Sequence, residues 1–194
     1  MNTRWKKQEA PRRSIRWIRA GIQPVCGLFF CLFLFVLLVV LMELFRYHTS
    51  VLYLEDALAA SGLAAAVVDL EEYGISHTIR IRDGEESYGK YVQALQDNLC
   101  LDEHWNSGKE QLIAGNVRME RFIIYTVNGQ ECYSRERDEI GHWHLQQFPE
   151  AGMYAPNGQA VEETAIYGEV SFEVQGLWGI RLRAQKGVLV DVCE

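Results

Sequence analysis

From Gly21 to Met42 the chain reads GIQPVCGLFFCLFLFVLLVVLM, an apolar run with no charged residue and no polar face. A helix of that length crosses a hydrocarbon core of about 30 Å, so the run predicts a transmembrane helix. Gln23 and Pro24 fall in its first turn, where the missing proline N–H costs least. No turn signal separates Met42 from Val51, and the helix is expected to continue to Leu70 or Glu72, with Gly74 as its stop. From Pro24 to Glu72 it would be about 73 Å long, so half of it lies outside the bilayer. In this outer half Val51, Leu54, Leu58, Ala65 and Val68 recur near helical spacing, while Glu55, Asp56, Asp69, Glu71 and Glu72 cluster at its two ends. The centre, ALAASGLAAAVV from Ala57 to Val68, carries no charge on any face. Small residues stack one turn apart there: Ala60 with Ala64, Ser61 with Ala65, Gly62 with Ala66. That spacing permits close approach by another helix or a sheet. Two coverings are open: the chain's own sheet on one side with small residues tolerated on the other, or a partner helix from another subunit on the second side.

Beyond Gly74 the period changes from helix to strand. His77–Arg82 (HTIRIR) alternates and predicts a strand closed by Asp83-Gly84. Tyr88, Tyr91, Val92, Leu95 and Leu99 return to helical spacing, giving a short helix that stops between Cys100 and Asp102. From Asn116 onward VRMERFIIYTV and QECYSRER flank Asn128-Gly129, the strongest short hairpin signal. Gly141 to Gly158, with Pro149, Gly152, Pro156 and Asn157, reads as a long connection. Ile166, Val170, Phe172 and Val174 then share a parity, marking a half-buried antiparallel strand. In the next run Ile180, Leu182 and Ala184 are expected inward and Arg181 and Arg183 outward. A turn near Gln175 to Trp178 would set Glu173 opposite Arg181, and a last strand runs from Val188 to Val192. The fold class is therefore α+β: a long N-terminal helix, transmembrane and continuing outside, and one short helix packed on an antiparallel sheet of about five strands.

Composition changes this picture only when divided. The apolar fraction of 48% and charged fraction of 23% would suit an ordinary soluble globule. Met1 to Ala20, however, holds seven Lys or Arg against the single acid Glu9, and from Arg46 onward twelve basic residues face twenty-four acids. The basic arm is expected to stay in the cytoplasm and the acidic remainder to lie outside. Trp5, Trp17, Tyr47 and Tyr53 flank the span as interface residues do. The expected organisation is a cytoplasmic arm over 1–20, a transmembrane helix over 21–45, a helical extension over 46–73 and an extracytoplasmic α+β domain over 74–194 in the cell membrane. The length and flanks of the apolar run favour a retained anchor over a cleaved secretory signal. An acidic main domain repels phosphates, which argues against nucleic-acid binding.

Candidate chemistry is sparse. His142-Trp143-His144 would set two imidazoles on one face of an extended segment, but no third ligand is evident and zinc needs three or four. No nucleophile-elbow, zinc-protease or phosphate-loop pattern is present. Neither catalysis nor a cofactor, metal or small-molecule substrate is expected. Cys26 and Cys31 read as small membrane-buried hydrophobes, while Cys100, Cys132 and Cys193 allow one disulfide in any of three pairings, or none.

The stretch LEDALAASGLAAAVVDLEEYG, followed by YVQALQDNLCL, resembles TadE-like pseudopilins of tight-adherence pilus systems in Gram-positive bacteria. The order of basic arm, apolar helix, small-residue extension and strand-rich domain is similar to the type IV pilin plan. The resemblance implies a minor pilus or pilus-assembly component whose partners are the lipid bilayer and other pilin-like membrane proteins. It also implies leader cleavage between Gly21 and Ile22. The fifth position after Gly21, a glutamate in prepilins, is Cys26 here. The residues expected to form a helix-packing interface are Ala60, Ser61, Gly62, Ala64, Ala65 and Ala66. A single-pass surface-anchored binding or sensor module is the alternative.

Overall fold

The computed structural model describes residues 13–108, 113–129, 131–138, 140–148, 153–176 and 179–192, with the backbone path alone at 13–23 and 114. The first element, α1, spans Arg13–Ala65. It starts before the expected Gly21, and Pro24, expected in the first turn, lies inside the helix. Nothing between Arg13 and Gln23 breaks a helix, and an apolar membrane helix tolerates one proline and its lost hydrogen bond. One helix among the described residues is long and apolar enough to cross a membrane, Pro24–Ala65, which suits a single membrane anchor.

The chain divides into two compact units, Met1–Leu44 and Phe45–Glu194. In the first, none of the residues from 24 to 44 is buried, and Phe29, Phe30, Phe33 and Phe35 all stand exposed. Such a surface suits lipid and not water.

The second unit is the α+β fold expected. Its part of α1 buries Ser50, Leu54, Ala57, Leu58, Ser61, Gly62 and Ala65, one face repeating every three to four residues. Helix α1 ends at Ala65 instead of continuing to Glu72. Two consecutive β-branched residues, Val67 and Val68, follow, and Asp69 competes for the backbone by accepting from the N–H groups of Glu71 and Glu72, both at 3.1 Å. This caps a separate α2 over Leu70–Ser76. The Ser87 hydroxyl donates to the Ala65 carbonyl at 2.8 Å and satisfies one orphan at the end of α1. Gly74 sits inside α2, and the stop is His77 in the left-handed region at φ 53°.

The expected strand at His77–Arg82 is absent from the sheet. It makes one isolated bridge, Val68 with Ile81, flanked by Asp69 N–H to Arg80 carbonyl and Arg82 N–H to Val67 carbonyl bonds. The post-helix segment takes its backbone groups before the sheet can. Helix α3, Gly84–Asn98, is capped by Asp83 and buries Tyr91 and Leu95, with Leu99 buried just past its end.

The sheet has five antiparallel strands in the order β3-β2-β1-β4-β5. They are β1 Ile113–Asn128, β2 Glu131–Arg137, β3 Trp143–Phe148, β4 Ala165–Gln175 and β5 Arg181–Asp191. The Asn128-Gly129 hairpin joins β1 to β2, with Gly129 at φ 62°. The connection expected over Gly141 to Gly158 contains β3, whose WHLQQF pattern is exposed at four of six positions and gave no apolar signature. The two strands expected after Ile180 form one, β5. Its register sets Arg183 against Glu173 and Arg181 against Gln175, so the Arg181–Glu173 ion pair at 3.4 Å is diagonal and not directly opposite. Ile180 and Leu182, expected inward, are 58% and 52% exposed, whereas Ala184 packs on the core as expected. The first two lie where the outermost strand leaves its turn.

Both sheet faces carry apolar clusters. The larger joins α1 and α3 to Ile113, Phe122, Ile124, Ile166, Val170, Phe172 and Val174. On the opposite face, Ile123, Tyr125, Cys132, Ala165 and Tyr167 are covered by Ala155, Val161 and Met153. This explains why β4 is buried on both parities and not half-buried. A Cβ at Gly168 would overlap the Tyr91 hydroxyl, so this glycine lets a tyrosine from α3 lie flat on β4.

Candidate interaction surface

The part of α1 in the second unit is positioned by direct contact with β5. A Cβ on Gly62 would lie 2.7 Å from Val190 Cγ2, closer than side chains approach. Lys186 on β5 holds Glu55 on α1 at 2.9 Å. The Ser61 hydroxyl donates back to the Ala57 carbonyl at 2.6 Å and receives Asn98 Nδ2 from α3 at 3.4 Å. Tyr53 donates to the Asn98 carbonyl at 2.6 Å.

These contacts divide the six predicted interface residues. Ser61, Gly62 and Ala65 are buried and Ala66 is half-buried against this chain's own fold, whereas Ala60 and Ala64 are exposed. Leu52, Tyr53, Asp56, Ala60, Leu63 and Ala64 occupy one arc of about 120° on α1. Leu63 is 62% exposed and Leu52 47%. Asp56 is the sole charge on that arc among the described residues. A surface with a single charge and two alanines one turn apart has the shape a close-packing helix needs. Leu63 belongs with it and was missed because its neighbours' small size, and not apolar bulk, was the signal followed. Gly21 and Ile22 both lie within α1 as helical backbone.

The histidine pair does come together, around a carboxylate. His144 Nε2 lies 3.1 Å and His142 Nδ1 3.6 Å from Asp138 Oδ2. Asp138 Oδ1 accepts the backbone N–H groups of His142 and Ile140, and these bonds, with the His144 contact, hold its carboxyl below the usual range. The arrangement is a turn closed by an aspartate. Among the described residues no group of three or more His, Cys, Asp or Glu side chains could hold a metal ion. Cys100 is exposed, Cys132 is a buried free thiol, and Cys193 lies outside the described residues. Burial pushes the Cys132 thiol up, which keeps it protonated and inert.

A second feature had no sequence signature, since its two arginines fall in separate expected strands. Arg80 and Arg135 line a pocket of about 350 Å³ with Ser76, Thr78, Thr126, Tyr133 and Glu72. Arg135 lies on β2 and Arg80 on the connection before α3, more than fifty residues apart in sequence.

No family model, no curated protein and no solved structure matches this chain.

Proposed function

We propose that the chain is a non-enzymatic, membrane-anchored structural or assembly component that acts by packing α1 against a helix of another membrane-anchored subunit. The observation that carries this reading is the arc of Leu52, Ala60, Leu63 and Ala64, interrupted by one charge, Asp56, and left uncovered by a fold that buries the other side of the same helix. In water such an arc stabilises nothing, whereas against a second small-residue helix it removes apolar surface at about 25 cal/mol per Å². The basic arm stays cytoplasmic and the α+β unit lies outside, by the charge asymmetry on either side of the span. The resemblance of residues 54–101 to TadE-like pseudopilins narrows the reading to a minor component of a tight-adherence pilus.

The test is co-purification from native membranes. Ala60→Leu with Ala64→Leu keeps the buried face intact and blocks close helix approach, so the membrane partner is expected to be lost while the fold melts unchanged. Undiminished association in that variant contradicts the proposal.

A further inference from the structure

We propose that the pocket between the 76–80 segment and β1, β2 and β3 binds a hydroxyl-bearing anion, a carboxylate or phosphate carried on a sugar or polyol. This goes beyond the assembly reading, since the pocket shares no residue with the exposed arc of α1.

The floor is the helix-bearing face of the sheet at one end. Thr126 pairs with Tyr133 across β1 and β2, and Arg135 pairs with Leu145 across β2 and β3, so their side chains share that face. The wall is the segment Ser76 to Arg80, which with the adjoining Ile81 is held by three bonds that cost it its freedom before any ligand arrives. Asp69 N–H donates to the Arg80 carbonyl at 2.8 Å, the Thr164 hydroxyl to the Ile79 carbonyl at 2.8 Å, and Arg135 Nη2 to the Ile81 carbonyl at 3.0 Å. A ligand thus meets a preformed site.

Two arginines, Arg80 and Arg135, line this space. Among the described residues neither forms an ion pair within 4 Å of a carboxylate. Arg135 is half-buried, and its pKa is pushed down first by that burial and next by the like charge of Arg80, with Asp83 only partly compensating. A half-buried cation beside a second cation is unfavourable unless an anion sits between them, and guanidinium forks match carboxylate and phosphate oxygens. Thr78, Thr126 and Asn128 supply hydroxyl and amide partners for the ligand's own hydroxyls, while the Ser76 and Tyr133 hydroxyls are engaged within the fold, Ser76 with Glu72 and Thr78, and Tyr133 with Glu131 and Gln147. Glu72 stands on the rim as an opposing charge, which favours a singly charged group over a dense polyanion and accepts a ligand hydroxyl. The volume suits one or two sugar-sized units.

The experiment is a melting-shift and calorimetric titration of the full chain in detergent micelles with glucuronate, glycerol phosphate, inorganic phosphate and, as neutral control, glucose, at matched ionic strength. Saturable binding of glucuronate or glycerol phosphate with none of glucose is expected. Arg80→Gln, at an exposed position, is expected to weaken it about tenfold without moving the unliganded melting point. Glu72→Gln is expected to tighten it. Arg135→Gln also removes the bond to Ile81, so Arg80→Gln and Glu72→Gln carry the decision. Glucuronate and glycerol phosphate separate a carboxylate sugar from a phosphate polyol, and preference for either supports the site. Inorganic phosphate binding as well as both would reduce it to a bare-anion site and overturn the hydroxyl requirement. No saturable binding of any anion, or binding unchanged in Arg80→Gln, overturns the proposal. None of these outcomes depends on the helix partner.

Discussion

The contact that seats α1 on the sheet can be tested through Gly62 and Val190. In an exposed helix Gly→Ala gains about 1 kcal/mol of helix propensity. Here the new Cβ would lie 2.7 Å from Val190 Cγ2, an overlap of the kind that costs about 1 to 3 kcal/mol in packed interiors. The two effects nearly cancel or leave Gly62→Ala destabilised by up to about 2 kcal/mol. Val190→Ala removes the clashing methyls and loses about 1 to 1.5 kcal/mol of burial at a half-buried site. In that background Gly62→Ala should change sign and stabilise by its full propensity gain of about 1 kcal/mol. The coupling energy is therefore about 1 to 3 kcal/mol, and at about 2 to 4 °C per kcal/mol it is measurable by thermal unfolding followed on the tryptophan signal. Additivity of the two substitutions to within about 0.5 kcal/mol would refute the close approach of α1 to β5.

Gly168→Ala should destabilise more severely, since its Cβ meets a tyrosine ring wedged against backbone, and a loss of about 3 kcal/mol is expected by denaturant titration. Tyr91→Phe should be neutral or stabilising by up to about 1 kcal/mol, because its buried hydroxyl has no partner among the described residues, and it should partly rescue Gly168→Ala. Glu85 accepts from Arg137 and Trp143 and its carboxyl is held below its ordinary value of 4.5. The folded-state pKa is the lower one, so the stability it supplies is present above the unfolded pKa and is lost as pH falls through the folded one. Glu85→Gln should flatten the fall in stability below about pH 5, by under about 1 kcal/mol because the pair is largely solvated. Iodoacetamide should label Cys132 only after unfolding and not in the folded chain, as read by peptide mass spectrometry.

The apolar run and the Asn128-Gly129 hairpin were legible because each is a local pattern with one physical outcome. The parity of Ile166, Val170, Phe172 and Val174 gave the strand but not the second cluster that buries its other face. The end of α1 was not legible. Its propensities permit helix to Glu72, and the break comes from Asp69 capping and from the pairing of Val68 with Ile81. The same pairing removed the strand expected at His77–Arg82, whose alternation is real but whose partner is one bridge and not a sheet. Strand β3 was invisible because its buried contact is Trp143 against Phe122 and Gly84, a tertiary fit that a polar WHLQQF string does not announce. Of the candidate interface, the small-residue stacking was legible. Which stack faces inward was not, because Ser61, Gly62 and Ala65 differ from Ala60 and Ala64 only by a rotation about the helix that β5 decides.

The most direct measurement is site-specific photocrosslinking in native membranes, with the photoreactive side chain placed at Leu63 and, separately, at Leu58 on the buried face of the same turns. A discrete adduct to a membrane-anchored subunit from Leu63, with none from Leu58, is predicted. A Leu63 position that yields no protein adduct while the chain is folded and inserted would contradict a shared helix and leave a solitary tethered domain.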